Sequence, residues 1–316
     1  MSTELFISVR RPYDFYGCVR CHGWVSLAPC SPTKRGFRRV EPLGSGRVVL
    51  LEIDSFEMKD VTLVRGAIDA ILSPSEESEV LSKLRWMLRL DENLSEFYAM
   101  CGARGGSYLS AIGKGRLLRS SGLFEDATKV LLTVNTTWRQ TKVMVSRIVE
   151  DLGVPHPQDP SLHAFPTPEA VFAAGSSYFR EQARTGYRAD WILALAERVG
   201  ELEALRTSDL PTPDLRSRLL SFSGIGPYGA ATLLMLLGRY DCLPIDSEAR
   251  DFTSKKYFKG RRATDAQIEA IYENWGSWRY LGYWLDSEET ISPFGEVLGA
   301  IGSDESGIRC PASPSL

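Results

Sequence analysis

The chain has 316 residues, 43% of them hydrophobic, which is enough to bury a substantial core and predicts one or two globular domains. No apolar run approaches the length of a membrane span, and the first residues lack the charged start and long apolar core of a signal peptide, so we expect an intracellular protein with no membrane partner. The formal net charge of -3 excludes nucleic-acid binding through overall basicity, so such binding must use local patches.

The distribution of charge shows one such patch. Residues 51–100 carry 11 acidic and 5 basic side chains, whereas residues 239–262 carry 7 basic and 4 acidic ones. The second segment is therefore the part of the chain best suited to a polyanion.

The 6 cysteines are too few and too scattered for a disulfide framework. Cys18 and Cys21 are spaced as half of a zinc site, with His22 and Cys30 nearby, but no second paired motif completes it. We therefore predict no metal site and expect the cysteines to be free or buried thiols in a small sheet.

Residues 3–65 alternate between apolar and polar side chains in short runs separated by Gly, Pro and Ser, which is typical of strands. The runs read LFISV, GWVSLAP, GFRRVEPL and GRVVLLEI. Ser73 or Ser75 can then cap a helix, and a second helix follows around Phe97. These elements predict an N-terminal α+β domain, residues 1–112, in which helices back a small antiparallel sheet. The glycine-rich residues 102–115 mark its boundary.

From there onward the pattern is helical. One helix ends near Leu132, and a polar break at residues 133–137 separates it from an amphipathic run that starts at Trp138. Asn135 lies in the break, where asparagine can cap the following helix.

A proline-rich connector, residues 155–168, holds His156 and His163. Neither histidine has a carboxylate or cysteine at a useful spacing, so both are predicted to lie at the surface. The run FREQARTGYRADWILALAERV then predicts another amphipathic helix, and it contains Tyr187 and Arg188.

Residues 213–250 are the most informative stretch. Apolar residues at helical spacing stop at Gly224, and a strongly apolar helix follows Pro227. The segment Gly224-Ile225-Gly226-Pro227 predicts a tight turn, because glycine tolerates the backbone angles of such a turn and proline suits the first turn of a helix. Amides at a helix N-terminus bind phosphate without a basic side chain, so this turn is a candidate clamp on a nucleic-acid backbone. An ordinary αα-hairpin is the alternative.

Two further features follow the hairpin. Asp246 comes directly after Leu243-Pro244-Ile245, and Arg250 lies one helical turn later. Aromatic residues then crowd the next part of the chain, and most of them must be core. They are Tyr272, Trp275, Trp278, Tyr280, Tyr283 and Trp284.

The hairpin, the apolar helix and the Pro-apolar-Asp segment, in this order, resemble the helix-hairpin-helix DNA glycosylases, the superfamily of endonuclease III, 8-oxoguanine glycosylase and 3-methyladenine glycosylase II. The resemblance implies a helical domain over residues 113–302, with a hairpin lobe at about 126–239 and a second lobe formed by 113–125 and 240–302. The expected fold class is mainly α with an N-terminal antiparallel β domain (α+β) and a two-lobed helical core. Residues 303–316 are expected to be a disordered tail.

The resemblance also implies roles for single residues. Asp246 matches the catalytic carboxylate of the family. The residues that the resemblance implies bind the DNA backbone lie in the hairpin and near it. They are Gly224, Ile225, Gly226, Tyr228, Gly229 and Arg250.

Three further positions match the part of the family that handles the distorted duplex. Asn135 matches an asparagine that fills the gap left by the flipped base, and Tyr187 with Arg188 matches a Tyr-Arg pair that contacts the base opposite the lesion. The aromatic helix around Trp278 and Tyr280 resembles one that faces the base pocket, and Trp138 is expected to line the same pocket.

Tyr228 stands where strand-cleaving members of the family carry a lysine that forms a Schiff base with the sugar. Tyrosine at this place resembles the members that use water. The sequence therefore favours a monofunctional DNA glycosylase of base excision repair, which hydrolyses the N-glycosidic bond of a flipped damaged or mismatched base in duplex DNA. Two alternatives stay open: a non-catalytic protein that binds DNA or recognises damage, and a bifunctional enzyme that uses another lysine such as Lys129, Lys142 or Lys255.

The family's iron-sulfur cluster needs four closely spaced cysteines after the catalytic Asp, and here only Cys310 lies beyond Cys242. We therefore expect no iron-sulfur cluster and no other cofactor, although a monovalent cation at the hairpin is compatible with the resemblance. The expected partner is double-stranded DNA with a damaged or mismatched base, bound by a monomer. The expected location is the cytoplasm, at the nucleoid, in a prokaryote and the nucleus in a eukaryote.

Overall fold

The structure is a computed structural model that describes residues 2–288. Its N-terminal part contains a five-stranded antiparallel sheet with the strands Thr3–Arg10 (β1), Cys30–Pro32 (β2), Gly36–Pro42 (β3), Val48–Glu57 (β4) and Val61–Ile68 (β5). The strand order is β1-β5-β4-β3-β2. The predicted fold class, mainly helical with an N-terminal antiparallel sheet, is confirmed.

One face of the sheet is covered by the helix Pro74–Met87 (α2). Every second residue of β5 is buried, and a Cβ added to Gly66 would lie 2.9 Å from Leu84 Cδ1 of the helix. The helix begins with a capping box, in which Ser73 accepts the Glu76 N–H and Glu76 accepts the Ser73 N–H. Ser73, rather than Ser75, is therefore the cap.

The N-terminal segment differs from the predicted strand pattern at GWVSLAP. A short helix, Phe15–Arg20 (α1), is followed by a 3-10 turn at Trp24–Ser26, so the predicted strand is wrong. Gly23 enters this turn with φ of 85°, a left-handed conformation that ends extended backbone. The sheet is instead completed by β2 and β5, which both lie outside the four predicted runs.

The remainder of the described chain is helical. The helices are Ser95–Arg104 (α3), Leu123–Thr133 (α4), Trp138–Leu152 (α5), Pro168–Ser177 (α6), Arg188–Glu197 (α7), Val199–Ala204 (α8), Thr212–Leu220 (α9), Pro227–Leu236 (α10), Ser247–Tyr257 (α11), Asp265–Tyr272 (α12) and Arg279–Glu288 (α13). Helix α4 packs against α5, α7 and α10, and α10 packs against α9. Both α4 and α10 are buried on nearly all sides, so they form the centre of the helical part.

An ionic network joins the sheet to α4. Arg39 of β3 pairs with Glu41 at 2.7 Å and with Glu125 at 2.9 Å, and Lys129 pairs with Glu125 at 2.7 Å. All four side chains are at most 5% exposed. Charges buried this deeply tolerate little displacement from their partners, so the network holds α4 in one position relative to the sheet.

His156 is buried, which makes its predicted surface position wrong. Its Nε2 lies 2.7 Å from Asp69 Oδ2, directly after β5. A bridge between Pro155 and His163 folds the connector back on itself and brings His156 to the sheet. His163 is half-buried.

The run FREQARTGYRADWILALAERV is also not one helix. Residues Tyr178–Gln182 form a π turn, Arg184 and Gly186 have positive φ, and α7 begins only at Arg188. Gly186 accepts a positive φ without strain. The helical pattern is therefore interrupted directly before Tyr187.

None of the helices within residues 2–288 is long and apolar enough to cross a membrane. The predicted tail, residues 303–316, and the end of the predicted second lobe lie outside the described residues. The domain boundaries stay predictions.

Candidate active site

The turn between α9 and α10 contains two glycines with different roles. Gly224 has φ of 82°, and a Cβ added to it would lie 2.3 Å from Trp191 Cδ2, so the fold itself requires glycine here. Gly226 has φ of -85°, and a Cβ there would have no atom within 4 Å among the described residues. The fold makes no demand for glycine at 226, where the exposed backbone is open to a close approach from outside.

Ile225 and Gly229 support the turn from below. Ile225 is 4% exposed, and a Cβ on Gly229 would lie 3.5 Å from both Ile225 Cγ2 and Val130 Cγ1. Their side-chain positions therefore serve packing between α10 and α4, and a contact with DNA from these residues would have to come from the backbone.

Asp246 is the N-cap of α11. Its Oδ1 accepts the Ala249 N–H at 2.8 Å, which fixes the carboxylate at the helix N-terminus. The positive end of the helix dipole favours a negative charge at this position. The side chain is half-buried, so it remains open to a ligand on one side.

Asp246 acts electrostatically on two tyrosines. The pKa of Tyr228, on the first turn of α10, is raised by burial and then by the Asp246 carboxylate. The pKa of Tyr283, on α13, is raised by the same two causes in the same order. Both phenols are therefore neutral at pH 7 and lie within electrostatic range of the carboxylate.

Glu248 is the second acid at this place. Partial burial and the nearby Asp246 raise its pKa. Glu248 therefore binds a proton more readily than an ordinary glutamate, directly beside the fixed carboxylate of Asp246.

The three lysines that the sequence left open as amine nucleophiles, Lys129, Lys142 and Lys255, lie in different surroundings. Lys129 is 1% exposed and donates to Glu125 at 2.7 Å and to Ser120 at 3.1 Å, so its amine belongs to the network under the sheet. Lys255 pairs with Asp251 at 2.6 Å on the exposed side of α11. Lys142 is exposed on α5.

Arg250 is held by another acid. Its Nε and Nη2 donate to the carboxylate of Asp265 at 2.9 and 3.0 Å, a bidentate pair between α11 and α12. A phosphate contact from Arg250 would compete with this ion pair.

Asn135 and Tyr187 meet at the surface. Asn135 is exposed with φ of 49°, and its Nδ2 donates to the Tyr187 hydroxyl at 3.4 Å. The cap of α5 is Thr137, which accepts the Gln140 N–H at 3.3 Å, so the interpretation of Asn135 as a helix cap is wrong. The polar side chain of Asn135 is thus not used in the helix start.

Arg188 supports the loop that carries Asn135. It is 7% exposed, its Nε donates to the Val134 carbonyl at 3.1 Å, and its Nη2 donates to the same carbonyl and to that of Asn135 at 3.2 Å. Nη1 donates to the Thr185 carbonyl at 3.2 Å. The guanidinium is therefore engaged by the protein backbone and not presented to a base.

The three predicted pocket residues lie in two aromatic groups. Tyr280 is buried, and its ring centroid lies 6.2 Å from that of Tyr283 and 6.5 Å from that of Tyr240. Trp278 stacks on the same Tyr240 at 5.7 Å. Trp138 stacks on Trp24 at 6.4 Å.

Sequence reasoning missed Tyr283, Trp24 and His22. Tyr283 lies three residues after Tyr280 on one helix, and this spacing is a signal that could have found it. Trp24 and His22 come from the N-terminal segment, and no local pattern connects them to α5.

An open cleft of about 1010 Å³ lies beside Asn135. Arg139, Arg147 and Arg184 line it together with Gln140 and the buried Arg188. A concave surface with several guanidinium groups is suited to a phosphate backbone. These arginines are scattered along the chain, which is why the sequence indicated only the segment 239–262 as basic.

No group of three or more metal-binding side chains occurs within residues 2–288. The side chains of the half zinc motif have separate contacts: Cys18 with the Leu88 carbonyl, Cys21 with His22, and Cys30 with Arg39.

No protein-family model matches the chain, and no curated protein matches it. Solved structures do match. A 3-methyladenine DNA glycosylase from Archaeoglobus fulgidus has a TM-score of 0.70 at 21% identity, over 90% of this chain and 99% of that one. A Clostridium acetobutylicum 8-oxoguanine glycosylase/lyase, solved with double-stranded DNA containing cytosine opposite 8-oxoguanine, has a TM-score of 0.65 at 18% identity, over 92% and 98% of the two chains. The chain therefore has the fold of these DNA glycosylases.

Proposed function

We propose that this protein is a monofunctional DNA glycosylase of base excision repair. It hydrolyses the N-glycosidic bond of a damaged or mismatched base that has been flipped out of duplex DNA. The fold shared with glycosylases that act on 3-methyladenine and 8-oxoguanine supports an enzyme acting on DNA. The hydrolytic, lysine-independent form of the reaction is inferred from this chain's own residues.

The observation that carries the proposal is the group of Asp246, Tyr228 and Tyr283 beside the hairpin helix. A fixed carboxylate stabilises the positive charge that develops on the deoxyribose as the base leaves, and it can orient the water that attacks the sugar. The neighbouring groups on α10 and α13 are neutral phenols rather than amines. Water, not a protein amine, is then the nucleophile.

The other motifs have a place in the same reaction. The open backbone at Gly226 approaches a phosphate, and the basic cleft beside Asn135 binds a second part of the backbone. Asn135 and Tyr187 enter the duplex where the base has left, because a flipped base leaves a gap that must be filled. The partner is double-stranded DNA and the protein acts as a monomer, in the cytoplasm at the nucleoid of a prokaryote or in the nucleus of a eukaryote. This chemistry requires no cofactor.

The test is base release from a panel of duplexes with one deaminated, oxidised, alkylated or mismatched base, followed by hot alkali to reveal abasic sites. The wild-type protein should release at least one base, and Asp246→Asn should lower the rate by about 10²–10³ or more while DNA affinity is kept, because it removes the charge opposite a developing cation. Asp251→Asn, on the same helix but paired with Lys255 at the exposed side, is the matched control and should behave as wild type.

Each alternative function gives a different result in this assay. Binding to damaged duplexes without release of any base would indicate a non-catalytic protein. Strand breaks that appear without alkali would indicate a bifunctional enzyme. An Asp246→Asn rate within about tenfold of wild type would exclude Asp246 as the catalytic carboxylate.

A further inference from the structure

His22 has a nitrogen that nothing in the described chain uses. The imidazole stacks on Trp24 with ring centroids 4.7 Å apart, and Trp24 stacks in turn on Trp138. The Nε2 atom of His22 is inaccessible to solvent and has no hydrogen-bond partner within residues 2–288. Buried polar atoms without a hydrogen bond are rare because an unmade hydrogen bond costs free energy, so the unpaired Nε2 atom needs an explanation.

The neighbouring cysteine determines which form of the imidazole is present. Cys21 Sγ lies 2.7 Å from His22 Nδ1 and accepts the Leu118 N–H at 3.3 Å. Burial raises the pKa of this thiol, so the sulfur keeps its proton and donates it to Nδ1. Burial, and then the charges of Arg89 and Lys129, lower the pKa of His22 to about 3. The imidazole is therefore neutral, and its one proton is on Nε2.

Helix α13 connects this donor with the candidate catalytic group. Trp284 donates its Nε1–H to the Cys21 carbonyl at 3.4 Å, directly before His22. Tyr283, the preceding residue of the helix, packs on Tyr280 with ring centroids 6.2 Å apart, and the Asp246 carboxylate raises its pKa after burial does. A base whose sugar is held at Asp246 thus extends along α13 towards the segment that carries His22.

We propose that His22 Nε2–H donates a hydrogen bond to a carbonyl oxygen of the flipped base, and that the substrates are neutral bases with such a carbonyl at the edge, rather than cationic alkylated purines. This inference rests on the proposed function. The stacked His22, Trp24 and Trp138 offer a rigid edge for recognition, and the positive charges of Arg89 and Lys129 oppose a cation at this place. A site built to hydrogen-bond one group rejects bases that lack it.

The test compares duplexes that carry hypoxanthine, uracil, 8-oxoguanine or 7-methylguanine at one position under single-turnover conditions. 8-Oxoguanine and 7-methylguanine form a matched pair, because both are modified guanines with the same carbonyl and only the second is a cation. At least one neutral base should be released about tenfold or more faster than 7-methylguanine. His22→Phe, which keeps the stacking on Trp24, should slow that release about 10- to 100-fold, and His22→Gln, which restores an N–H, should recover most of it.

A second readout does not depend on catalysis. Free hypoxanthine, uracil or 8-oxoguanine should quench tryptophan fluorescence in wild type and in Asp246→Asn, and much less in His22→Phe with an unchanged melting temperature. Equal release rates and equal quenching in His22→Phe and wild type would overturn the inference and leave the proposed function standing. Release of 7-methylguanine faster than of every neutral base would have the same meaning. If quenching depends on His22 but the protein releases no base from any duplex, the proposed glycosylase function is wrong and the base-binding site at His22 is supported. No quenching and no release would reject both.

Discussion

A Cβ on Gly224 would lie 2.3 Å from Cδ2 of Trp191, so the turn of the hairpin and the helix α7 are in direct contact. Trp191 packs edge-to-face against Tyr187 with ring centroids 4.9 Å apart, and the Tyr187 hydroxyl accepts from Asn135. The hairpin and the two side chains proposed to fill the duplex are therefore one connected unit. Trp191 is the side chain through which these two parts of the proposed DNA-binding surface are in contact.

The two glycines of the hairpin should respond differently to the same substitution. Gly226→Ala should fold as wild type, because its φ suits alanine and the added Cβ has open space, yet it should weaken binding to every duplex alike by blocking the approach of a phosphate. Gly224→Ala should lower the free energy of unfolding by about 2 kcal/mol or more, since it combines a left-handed φ with a clash. Urea unfolding and titration of undamaged and damaged duplexes measure both. A loss of affinity in Gly226→Ala for only one lesion would reject the phosphate contact.

Arg188 should act as a positioning residue. Arg188→Ala should lower the free energy of unfolding by about 1–3 kcal/mol, because the carbonyls of Val134 and Asn135 lose their donors. It should also slow base release from duplex DNA by up to about 100-fold, because Asn135 loses its position, while release from single strands, where no gap opens, changes far less. Asn135→Ala, an exposed change, should show the same difference in rates with an unaltered melting temperature. Equal losses on duplex and single-stranded substrates would show that Arg188 matters only for folding.

Local patterns were enough to predict the elements that carry Asp246 and the hairpin. The glycines, the proline and the apolar spacing all act within a few residues, and α9 and α10 follow from them, whereas the capping of α11 by Asp246 was not predicted. The role of Arg188 was not predictable in this way, because its acceptor Val134 is 54 residues away. The same holds for His156, which meets Asp69 only after the connector folds back. Sequence patterns indicate which residues are available, whereas long-range packing decides which polar groups remain exposed to a ligand.

Stability should depend on pH through His22. Its pKa is about 3 in the folded protein and near 6.5 in the unfolded chain, so below pH 6.5 the unfolded chain binds a proton that the folded protein refuses. The free energy of unfolding should therefore fall as pH decreases, by about 2 kcal/mol between pH 6.5 and 5 from this group. His22→Phe and His22→Gln should both lose this part of the dependence in urea unfolding curves. Parallel curves for wild type and both variants would show that His22 is not buried as a neutral group.

The wild-type protein should release bases without forming an adduct that borohydride can trap, even after long incubation with damaged DNA. Trapping requires an iminium between an amine and the sugar, whereas the side chain of residue 228, which Asp246 influences, is a phenol. Burial and Asp246 raise the pKa of its phenol, so the group is neither charged nor a useful nucleophile at pH 7.

Tyr228→Lys should gain some trapping, and the amount should rise between pH 7 and 9. The neighbouring Asp246 favours the charged ammonium of a lysine at this position, so the reactive free amine appears only as the pH increases. Tyr228→Phe, which changes the ring least, is the control and should not be trapped at any pH. An adduct of the wild-type protein would contradict the hydrolytic mechanism and direct attention to Lys142 and Lys255, since the Lys129 amine is bound to Glu125 and Ser120 beneath the sheet.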